Sequence, residues 1–242
     1  MKHLGILAHS MEGALLCLRS FCHESFRELG PHQHPDVTLH GTALAHSMEA
    51  WEASDHARIR QTLSAGVGRL ARSGADFFVC PDNTAHMALE AAGDGLDLPG
   101  LHIAEVVADK AALRGHVRVG ILGTKYTMGG PLYSRALGAR GIAAEVPEPA
   151  DRLVVDDIIF RELCNGIFSE PSRREYVRVI EEMQARGCDA VALACTEIPL
   201  LVSPGVSPLP TLDSTRLLAG AAFAVCAGRR PMPDWRGGPV GS

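Results

Sequence analysis

The sequence is poor in the features of membrane proteins, nucleic-acid-binding proteins and secreted proteins. Of its 242 residues, 46% are hydrophobic and 21% are charged, with a net charge of -5, and no run of basic residues offers a surface for phosphate backbones. The longest stretch free of charged and strongly polar residues, 217–228, is much shorter than the roughly 20 apolar residues that span a bilayer, so we interpret it as a buried helix. No secretory signal pattern is present near the first residue. We therefore expect a cytoplasmic protein with no nucleic-acid or membrane partner.

The chain also lacks the usual motifs for cofactors and metals. Its lysines are few, namely Lys2, Lys110 and Lys125, which disfavours a pyridoxal phosphate Schiff base. The glycines at 66–71 match a dinucleotide fingerprint only in letters, because they lie inside a predicted helix. The seven cysteines form no C-x-x-C, their odd number argues against a disulfide framework, and the histidines have no partners at ligand spacing. We expect no cofactor and no metal.

Short apolar runs alternate with helical stretches, a pattern typical of an α/β protein with parallel sheets. Strands are predicted at residues 4–8, 37–41, 77–80, 117–122, 142–146, 190–194 and 208–212. Helices are predicted at residues 12–29, 58–73, 84–92, 131–141, 154–168, 172–186 and 214–227. Breakers are expected at 93–95 and 98–100, and the Pro- and Gly-rich tail at 231–242 is expected to be poorly ordered.

The two halves of the chain repeat the same motifs. Gly-Ile-Leu occurs at 5–7 and at 120–122, and residues 74–84 parallel residues 187–197 in the same order and at nearly the same separation. This indicates a duplicated α/β unit. Because ligands of parallel sheets bind beyond the carboxyl ends of the strands, we expect two pseudo-symmetric subdomains with a shared cleft lined by the turns that follow the strands.

Asp82 and Cys195 occupy equivalent places in this repeat, after Gly74 and Gly187 respectively. On opposite walls of one cleft, one group can remove a proton from a stereocentre while the other delivers a proton to the opposite face, as in a cofactor-independent racemase or epimerase. A helix N-terminus would favour the thiolate of Cys195. The alternative interpretations are that Asp82 caps the following helix and that Cys195 is an ordinary buried thiol.

Side chains that can donate hydrogen bonds to a carboxylate accompany both positions. They are Ser10, Asn83, Thr84, Thr124, Thr127 and Thr196. Such donors would also stabilise the enolate-like charge that develops when an α-proton leaves. His86, one helical turn after Asp82, could orient its carboxylate or pair with it. The hydroxyl and amide groups are equally suited to helix capping.

These motifs resemble those of the aspartate/glutamate racemase superfamily. The resemblance rests on Asp-Asn-Thr-Ala-His at 82–86, Gly-Ile-Leu-Gly-Thr at 120–124, Ala-Cys-Thr-Glu-Ile-Pro at 194–199 and Leu-Asp-Ser-Thr at 212–215, within about residues 4–216. It implies an α/β fold of two Rossmann-like subdomains, each a parallel sheet flanked by helices, with the active site in the cleft between them. The implied domains are residues 1–98 plus 209–242, with a returning C-terminal helix, and residues 99–208. The resemblance also implies a homodimeric isomerase of amino-acid metabolism that needs no pyridoxal phosphate.

The resemblance further implies the roles of individual residues. Cys195 is one acid/base, Asn83, Thr84, Thr196 and Glu197 surround the substrate carboxylate, and Trp51 faces the substrate where relatives have a smaller polar residue. Glu197 can equally favour the helix dipole. The family pattern has cysteine where this chain has Asp82, so the role of Asp82 is carried over by position.

We therefore predict a racemase or epimerase of an aspartate- or glutamate-like amino acid or related carboxylate, which uses Asp82 and Cys195. Two alternatives stay open. One is a decarboxylase or cis-trans isomerase of a dicarboxylate that uses Cys195 alone, and the other is a non-catalytic carboxylate-binding homologue.

Overall fold

The computed structural model describes residues 1–240 and divides into two α/β units. Unit 1 comprises Met1–Ile103 and the chain from Thr215 onward, and unit 2 comprises Ala104–Ser214. Both divisions fall at the beginning of a helix. Among the described residues, no helix is long and apolar enough to cross a bilayer.

Unit 1 is built on a parallel sheet of four strands in the order β2-β1-β3-β4. The strands are β1 (Leu4–Ala8), β2 (Val37–Gly41), β3 (Phe77–Val79) and β4 (Gly100–Leu101). The helices of this unit are α1 (Met11–Leu29), α2 (Ala45–Glu52), α3 (His56–Arg72), α4 (Ala85–Leu89) and, from the end of the chain, α11 (Ser214–Cys226). Every residue of β1 and β3 is buried, as expected for central strands of a parallel sheet.

Unit 2 is built on a second four-stranded parallel sheet in the order β6-β5-β7-β8. The strands are β5 (Arg118–Gly123), β6 (Ala143–Glu145), β7 (Ala190–Ala194) and β8 (Thr211–Asp213). The helices are α5 (Ile103–Leu113), α6 (Lys125–Gly129), α7 (Leu132–Gly138), α8 (Pro149–Arg161), α9 (Glu170–Ala185) and α10 (Ile198–Leu201), with a 3₁₀ turn at Leu163–Asn165. The core of unit 2 forms where Tyr176, Ile180 and Met183 of α9 join the apolar side chains of β7.

The sequence repeat is confirmed in three dimensions, because the two sheets have the same strand order. The repeated glycines perform the same task, since Gly74 follows α3 with a φ of +87° and Gly187 follows α9 with a φ of +90°. Each left-handed glycine closes its helix with a Schellman turn. In this turn, the N–H of Ala75 bonds to Leu70 and that of Cys188 to Met183.

The repeat also extends to an aspartate two residues after each glycine. The carboxylate of Asp76 accepts the backbone N–H of His3 at 2.7 Å, and the carboxylate of Asp189 accepts that of Val117 at 2.8 Å. These bonds tie the entry of β3 to that of β1, and the entry of β7 to the residue that precedes β5. The Gly-x-Asp element therefore sets the alignment of the two central strands in both sheets.

The predicted strands and helices are present with shifted ends, and five elements were not predicted: α2, α5, α6, α10 and β4. The last of these overlies the predicted breaker at 98–100. Gly100 lies in β4 beside Phe78, and a Cβ at this position would overlap the Phe78 ring. This glycine therefore permits close packing between strands, so interpreting it as a turn signal was wrong.

The tail was expected to be poorly ordered, and this is wrong for its described part. The carbonyl of Trp235 accepts the N–H of Gly100, and the carbonyl of Arg236 accepts the N–H of Leu96, both at 2.8 Å. The Trp235 ring packs against the core of unit 1. Partial burial of this indole together with these bonds offsets the entropy lost on ordering. Residues 241–242 of the predicted tail lie outside the described residues.

Candidate active site

The turns that follow β1 and β3 meet because these strands are parallel neighbours. Ile6 is paired with Val79, and beyond them His9 Nδ1 lies 2.6 Å from Asp82 Oδ2. His9 is 9% exposed, and the Asp82 side chain is 14% exposed. His9 was not predicted as a site residue. Strand order was the signal that could have found it, since a residue just after β1 faces the turn after β3.

Asp82 also caps the helix that follows it. Its Oδ1 accepts the backbone N–H of Ala85, the first residue of α4, at 3.1 Å. Burial raises the pKa of the Asp82 carboxyl. The charge and hydrogen bond of His9, followed by the Ala85 N–H, lower this pKa by more than burial raises it, so that it lies below its ordinary value. Asp82 is therefore an ionised carboxylate at neutral pH, and the capping interpretation and the pairing with His9 hold together.

Trp51 contacts His9 from the other side. Its indole Nε1–H donates to His9 Nε2 at 3.2 Å, and the two rings meet edge to face with centroids 5.7 Å apart. Burial lowers the pKa of His9, but the charge and hydrogen bond of Asp82 outweigh burial, and the net pKa is raised above 6.5. The resemblance implied a substrate contact for Trp51, and the contact of its indole N–H is with His9.

His86 was expected to orient the Asp82 carboxylate or pair with it, and its hydrogen bonds go to main-chain groups. Its Nδ1 donates to the main-chain carbonyl of Asp82 at 2.9 Å, while its Nε2 accepts the N–H of Ile103 at 3.3 Å. Burial, followed by the neighbouring His102, lowers the pKa of His86 to about 3. His86 is therefore a neutral group that holds the backbone of the Asp82 turn.

An aromatic cluster supports His86 from behind. The Trp235 ring stacks on His86 at 5.9 Å with an interplanar angle of 13°, and His102 packs edge-on against His86 at 4.7 Å. His102 Nε2 lies 2.7 Å from Glu90 Oε1. The C-terminal tail thereby contributes to the support of the turn that carries Asp82.

The other predicted residues of unit 1 lie at the ends of helices. Ser10 Oγ accepts the N–H of Gly13 at 3.4 Å and caps α1. Asn83 is buried and Thr84 is partly buried, both between Asp82 and α4. The structure therefore places the turn residues Ser10, Asn83 and Thr84 in the part of unit 1 that contains Asp82, and Ser10 has a capping role.

In unit 2, the equivalent turn carries Cys195 directly after β7. Cys195 is partly buried, and its Sγ–H donates to Glu197 Oε2 at 3.0 Å. The hydroxyl of Thr196 donates to the same oxygen at 2.7 Å. Glu197 is only 8% exposed. The predicted residues Cys195, Thr196 and Glu197 thus form one hydrogen-bonded group around a single carboxylate oxygen.

This carboxylate corrects the expectation that the helix start would favour a thiolate. Burial, followed by the charge of Glu197, raises the pKa of Cys195 well above 9. The helix that follows, α10, has only four residues, so its dipole is small. Cys195 is therefore a protonated thiol at neutral pH.

The turn after β5 adjoins this group, because Gly123 pairs with Ala194 across the central strands of the sheet. Thr124 begins α6, and its Oγ1 accepts the N–H of Thr127 at 3.3 Å. The two hydroxyl oxygens are also 3.3 Å apart. Thr124 has a capping role as well, and both threonines are buried beside the strand that neighbours β7.

Comparison with known proteins shows the family of the chain. The family model described as Asp/Glu/Hydantoin racemase matches residues 19–222. The broad specificity amino-acid racemase RacX of Bacillus subtilis is 24% identical over 173 residues, which cover 68% of this chain and 71% of that protein.

Solved structures give the same result. A crystal structure of a candidate Asp/Glu racemase from Yersinia pestis has a TM-score of 0.85 and 33% identity, covering 94% of this chain and 100% of that one. An aspartate racemase homologue from Pyrococcus horikoshii shares the fold, with a TM-score of 0.78 and 23% identity over 94% of this chain and 100% of that one. The chain belongs to the Asp/Glu/hydantoin racemase family, whose racemases are isomerases that do not depend on pyridoxal phosphate.

Proposed function

We propose that this protein is an amino-acid racemase or epimerase in which Asp82 and Cys195 are the two acid/base groups. The observation that carries the proposal is their opposite protonation state. Asp82 is an ionised carboxylate with a lowered pKa, and Cys195 is a thiol with a raised pKa. One group is ready to accept a proton and the other is ready to donate one, as two-base catalysis requires.

The proposed reaction acts on both faces of the α-carbon. Asp82 takes the α-proton, and the electron pair of the broken C–H bond stays on the substrate as an enolate. The Cys195 thiol then gives its proton to the opposite face and becomes a thiolate. Exchange with solvent protons restores the starting state, and the opposite enantiomer reacts with the roles exchanged.

Donors on the substrate carboxylate are the second part of the proposal. We assign this role to side chains near the two groups: Ser10, Asn83, Thr84, Thr124, Thr127, Thr196 and the neighbouring Glu197 as an anchor for Thr196. Their support is their position at strand ends and helix starts. Placed donors lower the barrier by stabilising the charge of the enolate.

The proposed substrate class is a small amino acid, with aspartate and glutamate the first candidates. The support is the identity of the relatives, which include the broad specificity RacX and an aspartate racemase from Picrophilus torridus at 21% identity. We also propose a cytoplasmic homodimer. The free state of the seven cysteines agrees with a reducing compartment.

The test is incubation of L- and D-amino acids in deuterium oxide, followed by chiral chromatography and mass spectrometry. We expect interconversion of enantiomers with deuterium at the α-carbon. Cys195→Ala should abolish interconversion, whereas Cys22→Ala, a partly buried cysteine of α1, should not. If a broad panel shows neither interconversion nor exchange with the wild-type protein, the proposal is wrong.

One observation favours a second candidate, the decarboxylation of a dicarboxylate. Burial and the charge of Glu197 raise the pKa of Cys195 and keep it protonated, and a thiol suits a reaction in which it only donates. In that reaction the bond to the leaving carboxylate breaks, carbon dioxide departs, and Cys195 protonates the carbanion. Carbon dioxide release that Cys195→Ala abolishes and Asp82→Asn only weakens would favour decarboxylation over racemisation.

A further inference from the structure

Trp51, His9 and Asp82 form a continuous hydrogen-bonded chain within unit 1. The indole Nε1 lies 3.2 Å from His9 Nε2, and His9 Nδ1 lies 2.6 Å from Asp82 Oδ2. The imidazole is almost fully buried. Its two nitrogens therefore have these two partners and little contact with water.

Counting protons fixes the state of each member of the chain. An indole nitrogen can only donate, so His9 Nε2 must accept. A neutral imidazole then carries its single hydrogen on Nδ1 and donates it to the Asp82 carboxylate. A proton added to Nε2 would place two N–H groups against each other, and the indole would have to move away.

We propose that Trp51 is a positioning residue whose indole N–H holds His9 as the neutral Nδ1–H tautomer. In this state Asp82, and not His9, is the group of unit 1 that exchanges a proton with the substrate. This inference rests on the proposed function, in which Asp82 is the acid/base of unit 1. It gives Trp51 a role other than substrate contact.

The device matters because Asp82 makes His9 easier to protonate. The carboxylate raises the pKa of His9 despite burial and so favours protonation of Nε2, whereas the indole N–H needs Nε2 as an acceptor and opposes it. An imidazolium ion beside Asp82 weakens the carboxylate as a base.

Other groups face the chain from neighbouring elements. Asp82 raises the pKa of Cys80, which lies just before it, and His86 of α4 acts on Asp82. His56 of α3 packs edge-on against Trp51 at 5.8 Å. The charge that acts on His9 is that of Asp82. The indole N–H is therefore the contact that opposes this charge at Nε2.

The test compares Trp51→Phe with Trp235→Phe. Each variant keeps an aromatic ring and loses one indole N–H, and the bond of Trp235 goes to the carbonyl of Gly238 instead of to His9. Nitrogen-15 NMR reports the tautomer and pKa of His9, assigned by its loss in His9→Asn. We expect Trp51→Phe to raise the His9 pKa by about one pH unit, a tenfold change in its protonation equilibrium, and Trp235→Phe to leave it unchanged.

Activity gives the second readout. In Trp51→Phe we expect kcat at neutral pH to fall about tenfold with little change in KM, and to recover as the pH rises above the His9 pKa. In the double variant Trp51→Phe/His9→Asn, the asparagine amide can donate to Asp82 but cannot titrate. The loss of kcat at neutral pH that titration of His9 causes in Trp51→Phe, which we call the added pH limb, should therefore disappear.

Three outcomes would overturn the inference: an unchanged His9 tautomer and pKa in Trp51→Phe, an effect on KM alone, or a pH limb that persists in the double variant. The NMR readout needs no substrate. It therefore separates failure of this inference from failure of the proposed racemase reaction, which Asp82→Asn and Cys195→Ala test directly. If Trp51→Phe does not fold, the tautomer in the wild-type protein decides, because protonation at Nε2 would contradict the assigned donor.

Discussion

The two units share one backbone plan and carry opposite proton chemistry. In unit 1 the turn after β3 carries a carboxylate, that of Asp82, and its partner is the imidazole of His9. In unit 2 the corresponding group is a thiol, Cys195, and its partner is the carboxylate of Glu197. The pKa is lowered in the first case and raised in the second. Burial raises the pKa in both turns, and the neighbouring side chain then lowers it for Asp82 and raises it further for Cys195.

The largest expected effect comes from removing the proposed proton acceptor, the carboxylate of Asp82. Asp82→Asn keeps a side-chain oxygen for the Ala85 N–H but removes the charge, and we expect racemisation to fall about a thousandfold, within the usual range for a general acid/base. Initial rates measured by chiral chromatography provide the check.

The control for this variant is Asp94→Asn, an exposed aspartate of the same unit, which should keep full activity. The pH dependence has a defined sign. Because the pKa of His9 is raised above 6.5, the wild-type rate should fall as His9 becomes protonated. It should fall again below the ordinary aspartate value of about 3.9, where Asp82 itself takes up a proton. An unchanged rate of racemisation in Asp82→Asn would show that Asp82 is not an acid/base of the reaction.

The second prediction concerns the tail, which joins unit 1 alone. Trp235→Ala removes the ring that packs on Phe78 and His86, and we expect the free energy of unfolding to drop by about 3 kcal/mol. Chemical denaturation measures this change. Trp235→Phe should lose clearly less, and equal losses in the two variants would show that ring size is not the cause.

The third prediction concerns the pKa of the Cys195 thiol in unit 2. Glu197→Gln removes the negative charge beside Cys195, so the pKa of the thiol should fall. Alkylation by iodoacetamide at pH 8 should then accelerate, about tenfold for every pH unit by which that pKa drops. Thr196→Val is the matched control, since it removes a hydrogen bond to the same carboxylate but leaves the charge. Equal alkylation rates in Glu197→Gln and the wild-type protein would refute the role of the charge.

The smallest expected effect tests whether the two left-handed glycines of the repeat, Gly74 and Gly187, contribute equally to the free energy of unfolding. Alanine at Gly74 or Gly187 would have room for its Cβ but would adopt a left-handed φ. We therefore expect each change to cost about 1 to 2 kcal/mol. Gly220→Ala, in the interior of α11 with no atom near its Cβ, should instead stabilise the protein by up to about 1 kcal/mol. Unequal costs for the two left-handed glycines would show that the two helix ends differ in energy.

Much of the fold could be predicted from the sequence, because buried parallel strands leave continuous apolar runs. The runs at 4–8 and 190–194 match the fully buried strands β1 and β7 residue for residue. The two-residue strand β4 could not be predicted in this way, since its glycine depends on the Phe78 ring of the neighbouring strand. The ordered tail was missed for a similar reason, because the indole of Trp235 finds its partners far away in the sequence.

The candidate site was only half visible in the sequence. Motif spacing pointed to Asp82, Cys195 and their flanking residues, but the protonation of each depends on partners that spacing does not reveal. His9 reaches Asp82 only once β1 and β3 lie side by side. The bond from Cys195 to Glu197 spans two residues, yet its consequence for the thiol depends on burial, which the sequence does not state.

The placement of α11 and the tail in unit 1 has a consequence for the order of events during synthesis. Unit 2 is one continuous stretch, whereas unit 1 takes its last helix and Trp235 from the end of the chain. A chain leaving the ribosome can therefore complete unit 2 first, while unit 1 waits for residues that follow unit 2 in the sequence. The support behind Asp82 is in place only after Trp235 has left the ribosome.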